Sequence, residues 1–283
     1  MGLNKGEIMN VLSLFDGMSC GQLALERAGV EYDNYYASEV KPHAIETVKY
    51  NFPRTKHIGD IHWVNGDQLP RIDLLIGGSP CQDLTSIGTN RDGLKGSKSG
   101  LFYEYLRLLK ETKPKYFLLE NVASMKIKDR EIITELMGVE PIFINSKDFS
   151  AQERRRLYWT NIPVKQHKDQ GILLKDIIEQ GVEREENMSD KKRAFIEKKR
   201  TGTRFVRVDG EKSMPITARG YSAWNTQFVT DNGSIRDLTL TEYKRLQTIR
   251  EDYYFPCIKS KATDLIGDGW TVDVIAHIFK GLK

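Results

Sequence analysis

Val11-Leu12-Ser13-Leu14-Phe15-Asp16-Gly17-Met18-Ser19-Cys20-Gly21 is the stretch from which the rest of the chain can be read. A strand-length apolar run halts on Asp-Gly, and two glycines let the backbone turn sharply into a helix whose N-terminal amides can meet a ligand. The same rhythm recurs through the first 165 residues. Apolar runs at 11–15, 35–38, 56–58, 72–76, 116–119, 142–144 and 157–159 are each bounded by Gly, Pro, Asp or Asn, as strands are. Helical patterns lie between them. Pro42 suits a first helical turn ahead of Ile45 and Val48, and Asp129 suits the cap of a helix carrying Ile132, Ile133, Leu136 and Met137 that Gly138 stops. Leu101, Phe102, Tyr105, Leu106, Leu108 and Leu109 form an apolar stripe at helical spacing that belongs in a core. Strands alternating with helices predict an α/β fold, a parallel sheet with covering helices.

After Pro163 the alternation breaks and charge rises, so a second, smaller domain is expected over 165–235, following a first over 1–164. Thr239-x-x-Glu242 then reads as a capping box, and Val272, Ile275, Ile278 and Phe279 as an amphipathic helix, so 236–283 should return to the first domain. With 283 residues, 39% of them hydrophobic and 29% charged, the chain can bury a real core and is not disordered throughout. The net charge is only +4, yet residues 191–219 hold ten Lys or Arg against Glu197, Asp209 and Glu211. That window fits either a solvated helix face or a surface for a polyanion. Apolar runs are strand-sized, far short of the roughly 20 residues that cross a bilayer, so no membrane association is expected. The opening MGLNKGEIMN lacks an apolar signal core and an acylation pattern, which points to a cytoplasmic, non-secreted protein. Cys20, Cys81 and Cys257 are too scattered for a zinc spacing or a disulfide framework, so any that matters should act as a thiol.

In an open parallel sheet, ligands bind beyond the carboxyl ends of the strands. The first strand ends in Phe15-Asp16-Gly17-Met18, without the G-x-G-x-x-G of a nicotinamide site. The second ends in Ser38-Glu39-Val40 and the third in Gly59-Asp60-Ile61, carboxylates that suit a nucleoside without pyrophosphate or, equally, helix capping. The fourth ends in Gly77-Gly78-Ser79-Pro80-Cys81-Gln82, where the cysteine is a structural strand-end residue or a thiolate nucleophile. The fifth delivers Glu120 after a wholly apolar run, where burial favours the protonated form that can donate a proton. Arg154 and Arg156 run into the last strand, and strand alternation would put them on one face. Nucleophile, acid and cation converge on one sheet edge.

Together these residues resemble the DNA cytosine-5 methyltransferase family over nearly the whole chain. The resemblance covers Phe15-Asp-Gly-x-x-x-Gly21, Glu39, Asp60, Pro80-Cys81-Gln82, Glu120-Asn121-Val122 and Gln152-x-Arg154-x-Arg156. It continues in Arg236-Asp-Leu-Thr239-x-x-Glu242-x-x-Arg245-Leu246-Gln247 and Gly267-Asp-Gly-Trp270-Thr-Val272. Ser38-Glu39-Val40, Tyr158-Trp159 and Trp270 look most like the catalytic domains of the animal de novo enzymes. The resemblance implies a Rossmann-like, S-adenosylmethionine-dependent methyltransferase sheet with helices on both faces, plus a small irregular target-recognition domain over 165–235. Cys81 would attack carbon 6 of cytosine, Glu120 would protonate ring nitrogen 3, and Arg154 and Arg156 would hold the base oxygen and the loop. S-adenosylmethionine would supply the methyl group and leave as S-adenosylhomocysteine, with no metal needed. Its pocket would use Phe15, Asp16, Gly17, Met18, Cys20, Glu39, Val40, Asp60, Ile61, Pro80 and Leu101. Asp268, Gly269 and Trp270 would close it, although many members carry Asn and Ser where Asp268 and Gly269 stand here.

The implied partner is double-stranded DNA, whose target base must leave the stack. The polar segment 85–98 has the composition of a lid, with Ser86, Ile87, Arg91, Lys95 and Lys98 toward DNA. In the second domain, Arg204, Arg207, Arg219, Tyr221, Trp224 and Asn225 carry side chains suited to base edges and backbone. A family member acting on tRNA is the competing reading; against it, Ala123-Ser124-Met125 stands where that enzyme's Cys-Phe-Thr would follow Glu120-Asn121-Val122. A catalytically inactive regulatory partner is another, opposed by the intact Cys81, Glu120 and Arg154.

Overall fold

The structure, a computed structural model, describes residues 9–79, 100–182, 188–200 and 206–283. It contains two compact units, one of 1–145, 155–166 and 275–283, the other of 146–154 and 167–274. The larger share of 236–283 therefore groups with the second unit, and the last nine residues with the first.

The first unit is built on seven strands: β1 (Asn10–Leu14), β2 (Asn34–Ser38), β3 (Lys56–Gly59), β4 (Leu74–Gly78), β5 (Tyr116–Val122), β6 (Ile142–Asn145) and β7 (Arg155–Thr160). Their order is β3-β2-β1-β4-β5-β7-β6. Each apolar run of the sequence is a strand of this sheet. β1 through β5 pair in parallel, as the alternation of strands and helices predicts, and β7 runs antiparallel to both β5 and β6. The connection from β6 to β7 is too short for the dozen or more residues of a parallel crossover, so the strands pair as a reversal. β1 is buried at every residue, which requires cover on both faces and explains its unbroken apolar run.

Helices α1 (Cys20–Ala28), α2 (Pro42–Asn51), α3 (Leu101–Thr112) and α4 (Ile127–Met137) lie between the strands. Pro42 occupies the first turn of α2 and Gly138 the left-handed C-cap of α4. Lys126 holds the N-cap position of α4 without a side-chain cap bond, and Asp129 sits buried inside the first turn. The α3 stripe is core: Phe102, Tyr105, Leu106 and Leu108 pack with Leu12, Leu75, Leu119 and Trp159 of the sheet and Ile133 and Met137 of α4. Gly21 acts in packing rather than in the turn. A Cβ there would stand 2.4 Å from Ile76 Cδ1 and 2.6 Å from the Tyr35 hydroxyl, so α1 seats on the sheet only because the side chain is missing.

The second unit holds α5 (Leu174–Ile177), α6 (Asp190–Arg200) and a three-stranded sheet of β8 (Arg207–Val208), β9 (Gln227–Asp231) and β10 (Ser234–Asp237), in the order β10-β9-β8. The β9–β10 hairpin turns on Asn232 and Gly233, both with positive φ, as a two-residue turn of matching twist requires. Ile196, Val206 and Phe228 make its small core. α7 (Leu240–Leu246), with the expected Thr239 and Glu242 capping box, and α8 (Lys259–Asp268) follow, and α9 (Val272–Phe279) closes the described helices.

Candidate active site

The turn after β1 is strained. Phe15, Gly17 and Ser19 all have φ near +60°, and two of them are not glycine. Asp16 organises this turn from within the fold. One of its carboxylate oxygens accepts from the hydroxyls of Ser13 at 2.6 Å, Tyr35 at 2.8 Å and Ser19 at 3.2 Å, while Oδ2 is buried without a hydrogen-bond partner. Burial, reinforced by the charge of Glu39, pushes its pKa up to about 6 against the three hydroxyls. Gln22 extends the network, donating to Ser19 Oγ and Thr55 Oγ1 and accepting from the Tyr32 hydroxyl. Met18 and Cys20 are buried in the same turn.

Glu39, just past β2, accepts from the Gly17 amide at 2.8 Å and from the Val40 and Lys41 amides at 2.7 and 2.9 Å. It therefore caps the approach to α2 and ties it to the β1 turn. Val40 beside it is 61% exposed, an apolar side chain left in water. Asp60, past β3, caps a 3-10 turn over Ile61–Trp63; its Oδ1 accepts from the His62 amide and meets His62 Nδ1 at 2.8 Å. Those bonds hold the Asp60 carboxyl below its ordinary range. Ile61 lies in the hydrophobic core, and Leu101 packs against it.

At the end of β4 the described chain reaches Ser79, whose carbonyl and hydroxyl accept from Asn121 Nδ2. Pro80, Cys81, Ser86, Ile87, Arg91, Lys95, Lys98 and Arg204 lie outside the described residues. Glu120 is inside β5 rather than past its end, paired in register with Gly78 of β4 on one side and Tyr158 of β7 on the other. It is 8% exposed, and Arg156 Nε stands 2.6 Å from its Oε1. Glu120 and Arg156 are thus joined across neighbouring strands, and Gly78, the β4 partner of Glu120, precedes Cys81 by three residues in sequence.

Arg154 does not share a strand face with Arg156, because β7 begins at Arg155. In the second unit its guanidinium donates to the carbonyls of Ile216, Gly267 and Gly269. Asp268 is exposed, and Gly269 and Trp270 are half-buried. Arg207 is half-exposed, 3.8 Å from Glu153. The Arg219 amide donates to Asp264, and Tyr221 takes Lys192 and Lys259 over its ring at 5.2 and 5.1 Å. Trp224 packs edge-on against Phe195 on the small core, and Asn225 is exposed. Two members of the basic window are structural instead of solvated. Lys192 is buried 2.6 Å from Asp237, and Lys212 donates to the carbonyls of Lys147, Ser150 and Ile172. A buried ammonium needs such partners, and both sets are distant in sequence.

The model of the family described as C-5 cytosine-specific DNA methylase matches residues 9–214 and 165–283. The chain belongs to that family. Among curated relatives of this chain, the orphan methyltransferase M.SPRI of Bacillus phage SPR is 32% identical over 192 residues, 62% of this chain and 44% of the phage protein. The chain thus spans less than half the length of that relative. The type II methyltransferase M1.ScrFI of Lactococcus lactis subsp. cremoris is 27% identical over 299 residues, covering 95% of this chain and 76% of its own. Among solved structures, the Entamoeba histolytica methyltransferase EhMeth superposes with a TM-score of 0.79 at 14% identity, over 98% of this chain and 99% of that one. The fold is that of the methyltransferases.

The sequence marks the residues at the strand ends but not what holds them. In sequence Asp16 reads only as a pocket residue, and Ser13, Tyr35 and Gln22, polar groups whose partners lie on other elements, carry no local signal. Among the described residues, no group of three or more His, Cys, Asp or Glu is placed to hold a metal ion, and no helix is long and apolar enough to cross a membrane.

Proposed function

We propose that the chain transfers a methyl group from S-adenosylmethionine to carbon 5 of a cytosine flipped out of duplex DNA. The observation that carries the reading is the Glu120–Arg156 pair at 2.6 Å on β5 and β7, one strand from the β4 end that leads into Pro80-Cys81. The residues at the other strand ends fit the cofactor. Carboxylates stand past β2 and β3, one for ribose hydroxyls and one for the adenine amino group. Asp60 is 41% exposed, Val40 offers an exposed apolar wall, and the positive-φ turn at Phe15–Gly17 replaces a phosphate loop. Bound there, S-adenosylmethionine supplies an electrophilic methyl group.

The chain's own residues do the rest. The Cys81 thiolate adds to carbon 6 while Glu120 gives a proton to nitrogen 3, so electron density passes to carbon 5. Carbon 5 takes the methyl group, its proton leaves to a base, and the carbon 6–sulfur bond breaks with return of the thiolate and of the nitrogen 3 proton. Arg156 holds Glu120 in place and faces the base oxygen. Residues 165–235 serve target recognition, and Ser86, Ile87, Arg91, Lys95, Lys98 and Arg204 meet DNA.

The test is covalent trapping. Incubation with S-adenosylmethionine and duplex DNA containing 5-fluorocytosine should give a denaturant-stable adduct, since fluorine cannot leave as a proton does. Cys81→Ser should abolish it. An adduct with RNA alone would move the substrate to RNA, and none with either would defeat the reading.

A further inference from the structure

A buried polar scaffold inside the second unit centres on Gln152 and Arg154. Arg154 is 4% exposed; its Nη1 donates to the Ile216 carbonyl at 2.7 Å, and its Nη2 to the carbonyls of Gly267 at 3.0 Å and Gly269 at 2.9 Å. Gln152 accepts from the Ile216 amide at 2.8 Å and donates to the Leu246 carbonyl and Gln247 Oε1, both at 3.2 Å. Gln247 in turn donates to the carbonyls of Ile266 at 2.9 Å and Gly269 at 3.1 Å, and accepts from the Thr271 hydroxyl at 2.7 Å. The backbone segments so held are in direct contact. A Cβ on Gly267 would lie 2.3 Å from the Thr217 carbonyl carbon and 2.5 Å from the Ala218 nitrogen. The next residue, Arg219, is pinned through its amide to Asp264 of α8 at 2.8 Å.

Three of the five N–H groups of this guanidinium are therefore spent on main-chain carbonyls from two segments, a task that needs a rigid planar fork and that a lysine cannot reproduce. We infer that Arg154 is a positioning residue: it locks Ile216–Ala218 of the target-recognition region onto Gly267–Trp270 at the cofactor-closing end, and it does not act on the base. What the two segments bind rests on the proposed function. The lock itself does not. Cofactor affinity and target discrimination should then be linked, because one buried group sets the backbone of both.

The experiment compares wild type with Arg154→Gln, Arg154→Lys and Gly267→Ala, the last of which pushes the same segments apart without touching a charge. In steady-state methyl transfer, all three should raise KM for S-adenosylmethionine and narrow discrimination between duplexes by about tenfold each, with kcat at saturation held within about threefold. Arg154→Gln lowering kcat with KM unchanged would place its guanidinium on the base and overturn the inference, as would a silent Gly267→Ala. Should Arg154→Gln not fold, Gly267→Ala decides. Should the wild type neither methylate nor bind S-adenosylhomocysteine, the functional reading fails, and amide hydrogen exchange tests the lock alone. Faster exchange at 214–219 and 265–271 together in the variants supports it, and unchanged exchange overturns it.

Discussion

Replacing Asp16 with Asn tests whether the β1 turn carries a buried charge at the expense of stability. The carboxyl is raised from 3.8 to about 6 in the fold, chiefly by desolvation. Between those values the folded chain binds more protons than the unfolded one, so stability falls as pH rises through the window. Each unit is worth about 1.36 kcal/mol, and since the unfolded carboxyl is already more than half ionised at pH 4, this one group removes about 2 kcal/mol by pH 7 relative to pH 4. Asn keeps an oxygen for the hydroxyls of Ser13, Ser19 and Tyr35 but cannot ionise. Its amide nitrogen, at the place of the partnerless Oδ2, carries a cost of about 1–3 kcal/mol that does not change with pH. Urea unfolding of wild type and Asp16→Asn at intervals from pH 4 to pH 7.5 separates the two terms, since titrations not coupled to Asp16 cancel in the difference. Wild type should lose about 2 kcal/mol relative to the variant across the window. A difference that stays flat with pH would show that the carboxyl is not desolvated and would refute the reasoning.

Two further outcomes follow from the site and the basic window. Glu120→Gln should slow methyl transfer by about 10²–10⁴-fold, with cofactor Kd near that of wild type by calorimetry; full activity would remove the acid role. Lys192 and Lys198 should behave oppositely although both sit in the basic stretch: Lys192→Ala, which strands Asp237, should destabilise the fold by about 3 kcal/mol in thermal or urea unfolding. Lys198→Ala should leave stability alone and reduce the slope of log affinity for DNA against log salt by up to about 0.9. An unchanged slope would place the DNA elsewhere.

Much of the fold was legible because buried strands carry unbroken apolar runs with turn residues at their ends. All seven strands, the Pro42 turn, the Gly138 stop and the Thr239 capping box depend on such local signals. The strand-end carboxylates Glu39 and Asp60 were legible for the same reason. Their partners in part were not: Asp60 caps its own turn, as the sequence allowed, while Glu39 also reaches across 22 residues to the Gly17 amide.

Tertiary structure alone decided direction and pairing. That β7 reverses, that Glu120 lies inside β5 facing Arg156, and that Lys192 is an internal ion pair cannot be read from neighbours in sequence. Arg154 and Arg156 illustrate the division most plainly. Two residues apart and chemically identical, they look like one motif. Yet one pairs with a carboxylate across a sheet, and the other bonds carbonyls 62 to 115 positions away. Apolar periodicity is a property of the local chain and survives in the sequence. The partner of a buried charge is whichever polar group the fold brings within about 3 Å, and only the folded backbone sets that distance.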